Sequence, residues 1–205
     1  MRKLAIDCAT EACSVALFED DTLLAGDFRV LGRGHAEHLV PMISALPDRG
    51  RAERILVSLG PGSFTGVRIG LAAARALGLA WDAEVVGYPT LALVAAMARE
   101  NHPDSGASVC MSGGHGEWFL QEFGPGGETE GELVSLRPED AAAHAAHGLV
   151  AGSQAEALVV RRGHGEPLPL LPDARKAALL PPGRLTTALA PLYGRPPDAR
   201  LPGAA

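Results

Sequence analysis

Arg54-Ile55-Leu56-Val57-Ser58-Leu59-Gly60-Pro61-Gly62-Ser63-Phe64-Thr65-Gly66 decides how the rest of the chain is read. Its first six residues form a short apolar run that reads as a buried strand. The glycines and proline that follow make a tight turn. Beyond Gly66 the pattern becomes helical to about residue 80. Upstream, residues 4–7, 14–19 and 22–30 read as strands, the last two joined by a turn at Asp20-Asp21. From His35 the period changes: Leu39, Met42, Ile43 and Leu46 fall at i, i+3, i+4 and i+7, one face of a helix that Pro47 helps to end. Downstream, residues 84–87 form a strand that leads through Pro89-Thr90 into a helix over 91–99. Strands alternating with helices in this way give a mixed α/β fold.

Residues 101–106, with their Asn, Pro, Asp, Ser and Gly, are the best linker, dividing the chain into a first α/β lobe (1–101) and a smaller second one (102–205). In the second lobe, strands are expected at 108–111 and 117–123 around the turn Gly113-Gly114-His115-Gly116. A helix is expected over 138–147, and short apolar runs fall at 149–151 and 158–160. Residues 163–172 read as loop, 173–180 as a short helix capped by Asp173, 185–189 as another, and 194–205 as a loose tail. No repeat of 20–50 residues is present.

The whole chain has 205 residues, 47% hydrophobic and 20% charged, with a net charge of −6. This is an ordinary globular composition with enough chain for a sizeable core. An acidic chain is poorly suited to grip nucleic acid alone, because phosphate neutralisation supplies most non-specific affinity. Room remains for a local basic patch, for example around Arg161-Arg162 or in the tail at Arg195 and Arg200. Cys8, Cys13 and Cys110 are odd in number and fit no Cys-x-x-Cys spacing, which points to a reducing cytoplasm and to neither a disulfide framework nor a zinc ribbon. No apolar run reaches the ~18 residues of a membrane span, and an acid at position 7 leaves no room for a signal-peptide core.

Two segments carry candidate chemistry. Asp7-Cys8-Ala9-Thr10 offers a carboxylate and a hydroxyl at a strand end, either to hold magnesium and phosphate or to close an Asx-type turn. The Gly60–Gly66 turn ends at a helix N-terminus, with Ser63 or Thr65 as cap. It reads either as a plain turn or as an anion site, but without the lysine of a P-loop. In the helix, Gly66, Gly70, Ala74 and Gly78 form a smooth stripe. Interior glycines cost roughly 1 kcal/mol each, so close backbone approach is expected, either to the chain's own lobe or to a partner. Arg68 and Arg75 could rim either contact. The pairs His35/His38 and His144/His147 lack a third ligand for zinc. No nucleophile elbow or Cys–His pair is visible, so no residue is assigned a catalytic role.

The segment Gly60-Pro61-Gly62-Ser63-Phe64-Thr65-Gly66-Val67-Arg68-Ile69-Gly70, together with Ile6-Asp7-Cys8-Ala9-Thr10-Glu11-Ala12-Cys13-Ser14-Val15-Ala16, closely resembles the TsaB (YeaZ) family of the tRNA threonylcarbamoyladenosine machinery. Further likenesses are His35-Ala36-Glu37-His38-Leu39-Val40-Pro41, the Gly87-x-Pro89-Thr90-Leu91 turn and Pro191-Leu192-Tyr193-x-Arg195. The likeness is strong to residue 100 and patchy afterwards. Ser112–Phe119 departs from the family's usual stretch, keeping Glu117 but losing an acid and an arginine, and Gly194 stands where leucine is usual.

The resemblance implies a two-lobed actin/sugar-kinase/heat-shock-ATPase (ASKHA) fold, its mixed sheets flanked by helices and its second lobe reduced. It implies a non-catalytic scaffold that pairs with the catalytic TsaD subunit and is bound by the ATPase TsaE. Such a scaffold forms a homodimer when alone and meets tRNA only through the complex. On that analogy the interface lies on the helices over 35–46 and 66–80, using Leu39, Met42, Ile43, Gly66, Val67, Arg68, Gly70, Leu71, Ala74 and Arg75. Gly70→Leu or Leu71→Glu is then expected to break pairing and leave the monomer folded. No cofactor or metal is required. Weak ATP or ADP with magnesium would sit at Asp7, Thr10, Gly60, Gly62, Ser63 and Thr65. The competing readings are an ATP-dependent phosphotransferase of the same superfamily and a glycoprotease-type metallopeptidase.

Overall fold

The computed structural model describes residues 1–194. The first sheet is built from β1 (Arg2–Asp7), β2 (Ala12–Glu19), β3 (Thr22–Val30), β4 (Arg54–Ser58) and β5 (Glu84–Tyr88) in the order β3-β2-β1-β4-β5. β1, β2 and β3 are antiparallel neighbours, whereas β4 runs parallel to both β1 and β5. Helices α1 (His35–Ser44), α2 (Phe64–Trp81) and α3 (Thr90–Arg99) follow β3, β4 and β5.

The second sheet repeats this plan. β6 (Ala107–Ser112), β7 (Trp118–Phe123), β8 (Val134–Leu136), β9 (Leu149–Ala151) and β10 (Glu166–Leu168) lie in the order β10-β9-β6-β7-β8. β6, β7 and β8 form the antiparallel meander, and β9 runs parallel to β6 and β10. Helices α4 (Pro138–His144) and α5 (Ala155–Arg162) occupy the places of α1 and α2. The second lobe is therefore reduced in element length and keeps all five strands.

Strand periodicity sorts the side chains into three cores. Leu4 and Ile6 of β1 point outward, with Val15, Leu17, Ile55 and Val57, into a core closed by Leu39, Met42 and Ile43 of α1 and Val67, Leu71 and Ala74 of α2. Ala5, Phe18, Leu56 and Tyr88 point inward, facing Val109, Met111, Phe119 and Phe123 of the second sheet. α3 lies in this inner core, which is why its residues 90–96 are all buried and its sequence is apolar all round. Cys110, Trp118, Leu120 and Val150 form the third core beneath α4 and α5.

Several expectations change. Residues 134–136 and 166–168 are strands, the second inside a presumed loop, and residues 158–160 belong to α5. Residues 185–189 are not helical: Thr186 instead bridges Gly87 of β5. The chain has by then left the second sheet. A 3₁₀ turn, Ala174–Leu179, begins at the cap Asp173 and packs against the first sheet, where the Ala174 amide donates to Ser14 Oγ. Arg161 and Arg162 form no basic patch. Arg161 pairs with Glu139, and Arg162 donates to the carbonyls of Ala145 and His147. Arg195 and Arg200, and the tail they belong to, lie outside the described residues.

Candidate functional site

The two lobes face each other across a cleft of about 810 Å³. Its first-lobe wall carries Thr10, Gly62, Phe64 and Arg68. The opposite wall carries Ser112–His115 and Phe119, and Leu192–Gly194 close one side.

The β1–β2 loop is pinned from three directions. Asp7 accepts the Ala9 amide at 2.9 Å, the Asx-type turn, and Thr10 Oγ1 accepts the Ala12 amide at 3.2 Å. His35 Nε2 lies 2.8 Å from the Thr10 carbonyl and 3.2 Å from that of Ala12. Both partners are acceptors, so Nε2 carries the proton. The glycine turn supplies the third hold, since the Ser63 amide donates to the Ala9 carbonyl at 2.6 Å. A side chain on Gly62 would strike that same Ala9 carbonyl, and one on Gly66 the Cys8 carbonyl. Gly62 and Gly66 are glycines because the two loops touch backbone to backbone.

Ser63, not Thr65, is the α2 N-cap, its Oγ accepting the Gly66 amide at 3.2 Å. Gly60 carries φ 91°, and its carbonyl accepts the Thr90 amide at 2.8 Å. Thus the turn joins α2 to α3. The turn and the Asp7–Thr10 loop touch through these contacts, and Thr10, Gly62 and Ser63 face the cleft beside them. Asp7 itself is buried and does not line the cleft. The Tyr88 hydroxyl, which lies 3.1 Å both from Asp7 Oδ2 and from the Ile6 carbonyl, faces it from β5. Burial pushes the Asp7 carboxyl up to about 7. A carboxyl so held does not fit the part of a magnesium ligand at the cleft.

On the second-lobe wall Ser112 is tied to α5. Its amide donates to Ser153 Oγ at 3.0 Å, and its hydroxyl accepts from Gln154 Nε2 at 2.7 Å. Glu117, the acid kept in this divergent stretch, turns away to accept from Ser135 Oγ at 2.7 Å. The C-terminal strap crosses the first lobe. The Leu192 amide donates to the Leu59 carbonyl at 2.7 Å, and Arg75 Nη2 donates to the Leu189 carbonyl at 2.7 Å. Arg68 stacks 3.5 Å over the Phe64 ring and donates to the Tyr193 hydroxyl at 3.1 Å. Gly194 sits against the Phe119 ring, where no side chain fits, which accounts for the missing leucine.

The interface residues expected on α1 and α2 are corrected by their burial. Leu39, Met42, Ile43, Gly66, Val67, Gly70, Leu71 and Ala74 all face the chain's own first sheet. A Cβ on Gly70 would meet Val57, Cys8 and Ile6 at 3.6–3.8 Å, and one on Gly78 would lie 2.5 Å from Val85 Cγ2. The stripe faces the chain's own lobe: glycine is required at Gly66 by the Cys8 carbonyl and at Gly78 by Val85, while Gly70 has ordinary contact room for a Cβ. Arg68 and Arg75 are exposed but hold the strap. The outward face instead carries Val40 on α1 and Ala72, Ala76 and Leu79 on α2, with Val40 59% and Leu79 89% exposed. Sequence reasoning missed Tyr88, His35 as a clamp, and the Phe64–Arg68–Tyr193 cluster. His35, Phe64, Arg68 and Tyr193 all stand in the quoted motifs, but the motifs do not show these contacts.

Two lobes of one topology, with a helix between them and a cleft at the strand ends, define an ASKHA-type protein. The family model for TsaD, tRNA N6-adenosine threonylcarbamoyltransferase, matches residues 29–159. TsaB of Escherichia coli K12, a tRNA threonylcarbamoyladenosine biosynthesis protein, is 38% identical over 128 residues, covering 60% of this chain and 55% of the relative. TsaB of Bacillus subtilis is 35% identical over 104 residues, 48% of this chain and 45% of the relative. The matches span about half the length of these curated relatives. The solved structure of YeaZ from Pseudomonas aeruginosa superposes with a TM-score of 0.77 at 27% identity, covering 94% of this chain and 99% of that one. The chain belongs to the TsaD-type threonylcarbamoyltransferase family, in its TsaB (YeaZ) branch.

Proposed function

We propose that this chain is a non-catalytic subunit in the synthesis of threonylcarbamoyladenosine on tRNA, pairing with a TsaD-type catalytic subunit through the outward face of α1 and α2. The observation that carries this reading is that face. Val40 and Leu79 stand far out of the surface among small residues, Ala72 and Ala76, and the helices are anchored from behind by a complete core. Small residues let a second pair of helices approach closely, and the projecting Leu and Val supply apolar area to bury. The partner would transfer the threonylcarbamoyl group, and a TsaE-type ATPase would bind the pair. Contact with tRNA would come through the complex, in the cytoplasm. Alone, the same face would pair two copies. No nucleotide is needed for this role. The phosphotransferase alternative would need an acid at the cleft, and Asp7 is turned into the core. Among the described residues no helix is long and apolar enough to cross a membrane, and no three His, Cys, Asp or Glu side chains are grouped to hold a metal ion.

The test is light scattering on a sizing column, with the chain alone and mixed with the TsaD-type protein of the same genome. A homodimer that converts to a one-to-one heterodimer is expected. Failure of any complex to form, with or without ATP and magnesium, would remove the reading.

A further inference from the structure

We infer that Cys8 and Cys13 form a redox site, closed by a hydroperoxide into an intramolecular disulfide that staples the base of the cleft loop. The two sulfurs lie 3.6 Å apart. The last β1–β2 pair is Asp7↔Ser14, so Cys8 and Cys13 are the next residues across the hairpin. Both side chains enter the outer core with Leu4, Ile6 and Val15 and therefore lie on one face of the sheet. Residues directly opposite on antiparallel strands have Cα atoms about 4.5–5.5 Å apart, inside the range a disulfide spans. Closure thus needs the sulfurs to move together and asks little of the backbone. The four residues they bracket include Ala9, Thr10 and Glu11, all of which line the cleft.

The pairing has no rival within the chain. Cys110 is the only other cysteine and lies in the outer core of the second lobe, its thiol pushed up to about 12 by burial. Within the pair one sulfur donates to the other, which eases ionisation of the acceptor and hinders that of the donor; with Cys8 as donor, Cys13 is the sulfur that attacks. Its sulfur takes one oxygen of hydrogen peroxide: an S–O bond forms, the O–O bond breaks, and the departing hydroxide takes a proton to become water. The Cys8 sulfur then attacks the Cys13 sulfenic acid. An S–S bond forms, the S–O bond breaks, and the released oxygen leaves with the Cys8 proton as a second water. Two thiols are oxidised by two electrons and one peroxide is reduced to two waters. Both sulfurs are buried, so the reaction waits on local opening of residues 9–12. The inference does not depend on the pairing with a TsaD-type subunit.

The test is to treat the intact folded protein with hydrogen peroxide, quench, denature, label with N-ethylmaleimide and digest with trypsin. Both cysteines fall in one tryptic peptide, residues 4–29. The expected result is a loss of about 2 Da on that peptide, loss of two of the three labelled thiols, and recovery of all three with dithiothreitol. In wild-type protein, gains of about 16 or 32 Da at Cys8 or Cys13 in place of the 2 Da loss would overturn the proposal. So would a disulfide to Cys110 or between chains, or full labelling at peroxide doses that already oxidise the methionines. Because these readouts use wild-type protein, they hold even if Cys8→Ala fails to fold. If Cys8→Ala does fold, both its remaining cysteines should stay free of any disulfide.

Discussion

Gly66 and Cys8 are in backbone contact: any side chain at Gly66 would run into the Cys8 carbonyl oxygen, so the first turn of α2 is pressed directly onto the β1–β2 loop. The neighbour is main chain and cannot swing aside. Gly66 has an ordinary helical backbone, so the demand for glycine is purely spatial. Gly66→Ala is expected to cost about 2 kcal/mol or more by forcing α2 off the loop. Gly62→Ala should cost a similar amount through Ala9. Gly183→Ala, where a Cβ would meet nothing within 4 Å, is the matched control and should stay within about 0.5 kcal/mol. Urea unfolding midpoints decide this, and equal costs at Gly66 and Gly183 would show the loop contact to be loose.

The second prediction concerns Asp7. Its carboxyl is raised from 3.8 to about 7, chiefly by burial, against hydrogen bonds from the Ala9 amide, Tyr88 and Ser58 and with the charge of Asp173 nearby. A folded state that holds its proton more tightly than the unfolded chain is favoured at low pH. That contribution is complete below about pH 4 and is lost as pH rises through about 7. At about 1.4 kcal/mol per unit, the loss is of order 4 kcal/mol. Asp7→Asn keeps the shape and a group for Tyr88 to bond while removing the ionisation. Relative to wild type it should be more stable at pH 8, with the difference shrinking towards pH 4. The check is chemical unfolding of both proteins across that range. A wild-type-minus-variant difference that is flat with pH would mean Asp7 is solvated.

The contrast between these two positions shows what the sequence could reveal. The strand–turn–helix at 54–80 and the β2–β3 hairpin are legible because their apolar runs, turn residues and glycines are local signals. β8 and β10 are three residues each, and Pro167 within β10 speaks against a strand; only pairing to β7 and β9 makes them strands. The duplicated topology is invisible because the lobes share a plan and not a residue pattern. Leu39, Met42 and Ile43 mark the apolar face of α1, but an apolar face reads the same whether a sheet or a partner covers it. Asp7 was visible as a candidate. Tyr88, which turns it inward, lies 81 residues away in sequence and reaches it only through the β4–β5 pairing.

The strap offers a third test. Arg68 and Arg75 are exposed, and each holds it by one hydrogen bond, so neither should carry much global stability. Arg68→Ala also removes the stack on Phe64, worth about 0.5–1 kcal/mol at an exposed site. The double variant Arg68→Ala/Arg75→Ala should therefore unfold within about 1.5 kcal/mol of wild type. Its amide exchange should rise selectively across residues 189–194, including the Leu192 amide bonded to Leu59. Exchange measured by mass spectrometry checks this. Unchanged protection would mean that the Leu192 bond and the Gly194–Phe119 contact suffice.

The two faces of α2 give the sharpest separation between fold and function. Leu71 is 3% exposed and points at the first sheet, so Leu71→Glu buries an unpaired carboxylate. It should cost more than about 4 kcal/mol, unfolding the chain and not merely unpairing it. Gly70→Leu fails in the same way, because beyond the Cβ position its side chain would enter the space of Val57, Cys8 and Ile6. Leu79, eight residues along the helix from Leu71 and 89% exposed, is the substitution that isolates pairing. Leu79→Glu should unfold within about 0.5 kcal/mol of wild type. On the sizing column it should run as a monomer and bind a TsaD-type subunit at least ~10-fold more weakly, the loss of a buried anchor of about 1.4 kcal/mol or more. If Leu79→Glu still assembles with unchanged affinity while Leu71→Glu unfolds, the partner does not sit on this face.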